Sequence, residues 1–308
     1  DWRRDIVDTA KELDDFIQEK RKHLQKTYEE HYGVKNYDVK FDIVAHSMGG
    51  LIARYYLRYG PEDLPKDGTR PRATWKGARN VRKVMIVGTP NAGYLDAFTE
   101  LLSGMVFAPG APRIQPAVLG TFVSLYEMMP FPVMNMVVNS KNEKVGLYDP
   151  EFWIKMKWGL ADPKQDGVLK RLLPSVKSRE KRREIALDQL RKCLKRAGQF
   201  ADAMRFDAAP PDGVELHLFL GESILTNAVA TVNENTGKVK VIKKLPGDGK
   251  VTAKSAVYNE HQPGEPWPFA KSPIHWDSVT FLFAAHMGIT NDPVFVINMI
   301  YTLLLEKA

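Results

Sequence analysis

One short segment, Ala45-His46-Ser47-Met48-Gly49-Gly50, constrains the fold of this chain more than any other feature. The apolar run that ends in it, residues 39–45, is typical of a strand that enters the interior, and the spacing of residues 49–59 is typical of a helix. A serine between a buried strand and a helix predicts a sharp, strained turn. Only small residues fit two positions before and after such a serine, and Ala45 and Gly49 meet this requirement.

Helical and strand patterns alternate on either side of a long middle segment. Helical spacing covers residues 4–32 and 292–305, and buried strands are predicted at residues 82–87 and 214–220. A hairpin is predicted at residues 228–242. Strands that alternate with helices of this length predict an α/β fold with a mainly parallel sheet flanked by helices.

The composition narrows the class of protein. With 44% hydrophobic and 26% charged residues among 308, the chain is typical of a globular protein. No stretch approaches the roughly 18–20 apolar residues of a membrane-spanning helix. The lone cysteine, Cys193, excludes an internal disulfide framework and a multi-cysteine metal site.

The turn at Ser47 has a chemical consequence as well as a structural one. It exposes the serine hydroxyl at the start of a helix, where the Met48 N–H group and the helix dipole can stabilise an oxyanion. The segment therefore predicts a nucleophilic serine. The alternative interpretation is a strand–turn–helix unit in which the serine is incidental.

A serine nucleophile needs a histidine base, and in folds with such a turn the order along the chain is serine, acid, histidine. His286 is the favoured base because it lies in a loop just before the last predicted helix. His275 and His261 remain alternatives, since each lies downstream of Ser47 and outside a predicted strand.

The acid that orients the base has two candidates. Asp248 is favoured because two flanking glycines allow a tight turn that directs the carboxylate inward. Glu222 directly follows a predicted strand and is the rival. Asp277 is too close to the presumed base to be attractive.

Together these motifs resemble the lecithin:cholesterol acyltransferase-like lipase family of the α/β-hydrolases. The resemblance is carried by Asp1-Trp2-Arg3, by the Ser47 turn, and by residues 88–93, which are similar to the family's Gly-[Thr/Ala]-Pro-x-x-Gly. Residues 247–251 resemble the family's Gly-Asp-Gly-Thr-Val. The chain departs from the pattern at Lys250, where the family has threonine, and at Thr252, where it has proline; the family's cysteine pairs are absent.

The resemblance implies a catalytic triad of Ser47, Asp248 and His286, with the Met48 N–H group in the oxyanion hole. It also implies an α/β-hydrolase fold with a helical cap insertion: residues 1–92 form the first part of the core, 93–212 the cap and 213–308 the second part of the core. Because only one helix and one strand precede Ser47, we expect the early strands of the fold, about a hundred or more N-terminal residues, to be absent from this chain. Such a chain should expose a sheet edge and be inactive alone.

The middle segment carries soft apolar residues that either line an acyl-chain pocket or form the insertion's own core. These residues are Met105, Phe107, Phe122, Tyr126, Met128, Met129, Phe131, Met134 and Met136. Residues 177–196 contain nine basic and three acidic residues with regularly spaced leucines, which predicts a basic amphipathic helix. The basic side of this helix either faces solvent or makes a peripheral contact with an anionic membrane surface.

The sequence therefore predicts a serine-dependent lipid acyl-ester hydrolase or O-acyltransferase that acts through an acyl-enzyme. The substrate is a lipid or another acyl ester, and no metal or organic cofactor is required. The net charge of +7 favours anionic partners, but no recognised nucleic-acid-binding fold accompanies it. The alternative is a non-catalytic hydrolase-fold protein that binds a lipid or a protein partner.

Overall fold

The computed structural model describes residues 1–108, 110–260 and 271–304. Within these ranges the strands are β1 Phe41–His46, β2 Val81–Val87, β3 Val137–Asn139, β4 Glu215–Gly221, β5 Ile224–Asn233, β6 Lys238–Gly247 and β7 Ser278–Leu282. The α-helices are α1 Ile6–Tyr32, α2 Met48–Tyr59, α3 Leu95–Ser103, α4 Pro116–Leu119, α5 Val123–Glu127, α6 Pro150–Met156, α7 Asp166–Leu172, α8 Arg179–Met204, α9 Ala253–Val257 and α10 Pro293–Leu304.

The central sheet has the strand order β1-β2-β4-β7, and every pair in it is parallel. Parallel neighbours need a crossover connection, and α2 provides the one between β1 and β2. The predicted α/β class with a mainly parallel sheet flanked by helices is therefore confirmed. Strand β7 was not predicted from the sequence, and it forms one edge of this sheet within the described residues.

Strand β2 shows how helices cover both faces of the sheet. Val84 and Ile86 belong to the larger hydrophobic core, which also includes residues of α1 and α2. Met85 and Val87 point to the other face and pack in a smaller cluster with Phe295 of α10. The alternation follows from the two-residue period of a strand, and burial on both faces explains why β2 is apolar almost throughout.

A second sheet positions the loop that contains Asp248. Strands β5 and β6 form an antiparallel hairpin, and β3 pairs with β5 in parallel. The hairpin predicted around residues 233–237 is confirmed, and it is longer at both ends than the pattern indicated. Because β6 ends at Gly247, this hairpin brings Asp248 next to the end of β4.

Helix α8 confirms the helix predicted at residues 177–196 and extends to Met204. Its Arg196 side chain is largely buried and contacts Asp5, with 2.6 Å between Nε and Oδ2, and Asp63, with 2.7 Å between Nη1 and Oδ1. Asp5 also caps α1, since its Oδ1 accepts a hydrogen bond from the Val7 N–H group at 2.7 Å. These contacts fix the middle segment to the first helix. No helix in the described ranges is long and apolar enough to cross a membrane.

Glu127 at the end of α5 is a fully buried acid beside this ion-pair group. Its Oε2 accepts a hydrogen bond of 2.8 Å from the Ile6 N–H group at the start of α1. Burial raises the pKa of Glu127 well above its ordinary value, and the negative charge of Asp5 raises it further. The folded protein therefore keeps the Glu127 proton at pH values where the unfolded chain releases it.

We predict that Glu127→Gln removes a pH-dependent loss of stability. A glutamate in an unfolded chain releases its proton near pH 4.3, so wild-type stability falls as pH rises from there toward the raised pKa, by up to about 1.4 kcal/mol per pH unit for one proton. The neutral glutamine keeps an oxygen for the Ile6 N–H group. Urea unfolding at pH 5, 6, 7 and 8 should show the variant gaining on wild type as pH rises. Glu30→Gln, at an exposed site on α1, should show a constant difference, and a constant difference for Glu127→Gln would contradict this account.

Candidate active site

Ser47 lies in a strained turn between β1 and α2. Its φ of 54° and ψ of −126° place a non-glycine residue at positive φ, which is unfavourable unless the surroundings hold it. Two hydrogen bonds do so: the Ser47 N–H group donates to the Val87 carbonyl at 2.8 Å, and the Thr89 hydroxyl donates to the Ser47 carbonyl at 2.8 Å. Val87 ends β2 and Thr89 lies in the loop just after it, so the end of this strand and its loop hold the turn.

Small residues around the turn allow α2 to approach β2 closely. A Cβ atom at Gly50 would lie 2.1 Å from the Thr89 Oγ1 atom, the same atom that binds the Ser47 carbonyl. At Gly49 a Cβ atom would only touch the Ala45 Cβ atom, at 3.8 Å. Gly50 is therefore the position where the turn cannot accept a side chain.

A serine that directly precedes a helix often caps it with its side chain, but the Ser47 hydroxyl does not cap α2. Instead Oγ lies 2.9 Å from Nε2 of His286. The first N–H group of α2 is that of Met48, at the positive end of the helix dipole and beside the hydroxyl.

His286 reaches Ser47 from the loop between β7 and α10. Its Nδ1 atom lies 2.8 Å from the Asp248 Oδ2 atom. Its N–H group donates a 2.8 Å hydrogen bond to the Asp248 carbonyl, so main chain and side chain both join the two loops. The side chains of His286 and Asp248 are 12% and 2% exposed, which keeps this contact away from water.

The Asp248 carboxylate is held in place by its own turn. Its Oδ1 accepts hydrogen bonds from the N–H groups of Lys250, at 2.9 Å, and Val251, at 2.7 Å. An ionised carboxylate can only accept hydrogen bonds, so we assign the Nδ1 proton to His286 and leave Nε2 as the acceptor for the Ser47 hydroxyl. In this arrangement the serine can lose its proton to the imidazole, and the carboxylate stabilises the resulting charge.

The alternative base and acid candidates lie elsewhere. His275 is an exposed residue whose Nε2 atom lies 2.7 Å from the Asp207 Oδ1 atom. Glu222 is exposed, and its main-chain N–H group bonds to the Leu282 carbonyl. His261 lies outside the described residues. The structure thus brings together the three favoured residues, Ser47, Asp248 and His286.

His46 takes part in a contact that the sequence did not predict. Its Nε2 atom lies 2.9 Å from the His286 carbonyl oxygen, and the two rings are 5.0 Å apart between centroids. Burial lowers the pKa of His46, so the neutral ring, which can donate this hydrogen bond, is favoured at neutral pH. The adjacency of His46 to the Ser47 turn was the available signal, but the contact depends on a loop 240 residues away.

A cavity of about 360 Å³ opens at Ser47 and His286. Met105, Phe107 and Met128, three of the soft apolar residues singled out in the sequence, line it. Among the other predicted residues, the ring of Phe122 packs against that of Trp2. The rest lie in the buried core, namely Tyr126, Met129, Phe131, Met134 and Met136. Trp2, Tyr94, Glu100 and Leu125 also line the cavity and were not predicted to do so.

The described residues include no group of three or more His, Cys, Asp or Glu side chains placed to hold a metal ion. Instead, a hydroxyl, an imidazole and a carboxylate lie next to one another at the cavity, each in contact with the next. General-base activation of a serine requires such a row of contacts.

The parallel sheet, its flanking helices and the Ser47 turn define the chain as an α/β-hydrolase fold. Residues 1–159, just over half of the chain, match the family model described as lecithin:cholesterol acyltransferase. The chain belongs to this family. No curated protein matches the sequence.

Among solved structures, the chain is similar to one in the crystal structure of the Tle4–Tli4 complex, with 14% sequence identity and a TM-score of 0.46. The match covers 87% of this chain and 54% of that one. The chain therefore spans about half the length of the solved chain that it matches.

We predict that Gly50→Ala destabilises the protein by about 1–3 kcal/mol, the usual cost of forcing an extra methyl group into a packed interior. The reason is the contact with Thr89, whose displacement would also loosen the Ser47 turn. Gly167→Ala is the matched control: Gly167 lies exposed in α7, and an added methyl group there would meet no atom within 4 Å, so alanine should stabilise that helix by about 0.5–1 kcal/mol. Urea unfolding measures both, and equal effects at the two sites would show that Gly50 is not a close-packed position.

Proposed function

We propose that this protein is a serine-dependent lipid acyl-ester hydrolase or O-acyltransferase. The observation that supports this most directly is the pair of contacts Ser47 Oγ to His286 Nε2, at 2.9 Å, and His286 Nδ1 to Asp248 Oδ2, at 2.8 Å, at the wall of a largely apolar cavity. Membership of the lecithin:cholesterol acyltransferase family supports a lipid ester as the substrate.

In the proposed reaction, the Ser47 oxygen attacks the ester carbonyl carbon while His286 Nε2 takes the hydroxyl proton. The ester C–O bond then breaks, and His286 returns that proton to the leaving alcohol. The acyl group remains on Ser47 as an ester. Asp248 keeps the imidazole in the required orientation and stabilises its charged form.

The negative charge of the tetrahedral intermediate develops on the former carbonyl oxygen. The Met48 N–H group, at the start of α2, is the proposed donor to that oxygen, and the positive end of the helix dipole adds to the stabilisation. A single donor of this kind is typically worth about 10²–10³ in rate.

The acyl-enzyme can be resolved in two ways. If water attacks, with His286 as the general base, the product is a fatty acid and the protein is a lipase. If an alcohol attacks, the product is a new ester and the protein is an acyltransferase. Both routes use the same residues, and neither proposed route needs a metal or an organic cofactor.

We further propose that residues 93–212 act as the cap of the site, between core segments 1–92 and 213–308. This insertion supplies much of the cavity wall, including Met105, Phe107 and Met128. Such flexible, apolar side chains suit an acyl chain, which is long and has no fixed shape.

A peripheral contact with an anionic membrane surface through residues 177–196 is part of the proposal. Six of the nine cations there form ion pairs within the described structure, namely Arg179, Lys181, Arg183, Arg191, Lys192 and Arg196. Arg183 and Arg196 are largely buried and keep their acidic partners. The cations of the other four pairs are exposed, and exposed pairs are worth only about 0–1 kcal/mol, so anionic headgroups can replace their acidic partners. Each cation near such a surface adds about 1 kcal/mol.

We predict that a fluorophosphonate probe labels the full-length protein and does not label its Ser47→Ala variant. In the proposed reaction the activated Ser47 oxygen displaces fluoride from phosphorus, and alanine at this position has no oxygen to do so. Labelling is measured by gel fluorescence, and circular dichroism verifies that both proteins are folded. A folded full-length protein that resists labelling would favour the alternative, a hydrolase-fold protein that binds a lipid or a protein partner without catalysis.

We also predict that Asp248→Asn lowers kcat for a short-chain p-nitrophenyl ester by about 10⁴-fold, because the amide no longer fixes the proton on His286 Nδ1. Glu222→Gln is the matched control at the rival acid, which does not contact His286, and it should change kcat by less than about twofold. If Glu222→Gln caused the larger loss, the role of the acid would pass to Glu222.

A further inference from the structure

Three polar side chains outside the triad line the active-site cavity. They are Tyr94, at the start of α3, Glu100, within α3, and Lys250, two residues after Asp248. Most of the remaining lining is apolar. Since the proposed reaction gives these three residues no role, their presence beside Ser47 calls for a separate explanation.

Glu100 and Lys250 form an ion pair in this wall. The Lys250 Nζ atom lies 2.9 Å from the Glu100 Oε1 atom and 3.9 Å from the Asp96 Oδ2 atom. Burial raises the pKa of Glu100, and Lys250 opposes that rise. Burial would lower the pKa of Lys250, but Glu100 and Asp96 raise it overall, so Lys250 stays charged. Lys250 thus helps to keep Glu100 ionised despite its burial.

The ion pair does not use all of the hydrogen-bonding capacity of the cavity-lining Glu100. Lys250 occupies Oε1 of Glu100, and Oε2 has no hydrogen-bond partner within the described part of the chain. The Tyr94 hydroxyl likewise has none among the described residues, and the charges of Glu100 and Asp96 add to the burial that raises its pKa. A carboxylate oxygen and a neutral hydroxyl are therefore available to a bound molecule.

The charges of the side chains in and near this wall determine which kind of molecule can bind there. Asp96 and Glu100 carry two negative charges against the single positive charge of Lys250 when all three are ionised. A group with N–H donors and a positive charge satisfies both the free oxygen and the excess charge. An anionic group would be attracted by Lys250 in the same wall, but it would be repelled by the open carboxylate oxygen and by the excess negative charge, and it is disfavoured.

We infer that Tyr94 and Glu100 form a subsite for a primary ammonium group on the alcohol portion of the ester, and that Lys250 positions Glu100. This inference rests on the proposed function. The acyl chain occupies the apolar part of the cavity, so the polar portion of the substrate, which leaves with the alcohol, is the part directed to these residues. Glu100 and Tyr94 are specificity-determining residues in this account.

The test compares dioleoyl phosphatidylethanolamine with dioleoyl phosphatidylcholine in mixed micelles of a neutral detergent. The two lipids have the same acyl chains and net charge, but only the first has N–H donors. Hydrogen bonds to a charged group are worth about 1.5–3 kcal/mol, so wild-type kcat/KM should favour the ethanolamine lipid by about tenfold or more. A ratio near one overturns the inference.

Glu100→Gln should bring that ratio to about one. If the amide oxygen keeps its bond to Lys250, the free position becomes an N–H donor, which repels the ammonium group. Asp96→Asn is the matched control, because it removes the same charge near Lys250 from a residue that does not line the cavity. It should keep the ratio within about twofold of wild type. Equal losses in the two variants would assign the preference to general charge and overturn the subsite.

Tyr94→Phe gives an independent measurement if Glu100→Gln does not fold. Loss of one neutral hydrogen bond, about 0.5–1.5 kcal/mol, should lower the ratio by about threefold. Fluorophosphonate labelling separates the two proposals: an unlabelled wild-type protein refutes the proposed function, whereas a labelled protein that hydrolyses both lipids equally refutes only the ammonium subsite.

Discussion

The hydrogen bonds of the Asp248 carboxylate join three separate parts of this molecule. Its Oδ1 is bound by main-chain N–H groups of its own turn, and its Oδ2 contacts His286, which in turn contacts Ser47. Space for this group depends on Gly221, at the end of β4, where a Cβ atom would lie 2.8 Å from that of Asp248. The geometry of the cavity thus depends on Asp248, a buried acid that follows β6 of the second sheet and lies next to the end of β4 in the first.

The middle segment connects the chemistry of the site with its stability. It supplies apolar residues that line the cavity, and through Arg196 and Glu127 it is attached to the first helix. Buried charges are costly unless they are paired or neutralised, and here Arg196 is paired while protonation of Glu127 is favoured. The same segment supplies Tyr94 and Glu100, so the proposed substrate preference and the packing of the insertion rest on neighbouring residues.

Local patterns predicted the elements with strong periodicity. The helix at α1, the strand at β2 and the β5–β6 hairpin were readable because their apolar residues repeat at fixed spacing. Strand β7 was missed although Val279 and Phe281 are spaced as in a strand, because the run is only five residues long and its pairing partner β4 lies some 60 residues earlier. Strand β3 is only three residues long and exists because β5 is available to pair with it.

The strained turn at Ser47 could be predicted from the amino-acid sequence alone, because small neighbours between a strand and a helix leave few other conformations. It also favoured Asp248 and His286 without excluding Glu222 or His275. The folded chain brings Asp248 and His286 together with Ser47 and places Glu222 and His275 elsewhere, because the loop after β6 of the second sheet and the loop after β7 of the first meet beside the Ser47 turn. The contact of His46 with His286 and the cavity-lining pair Glu100 and Lys250 join residues far apart in the chain, so no local pattern could reveal them.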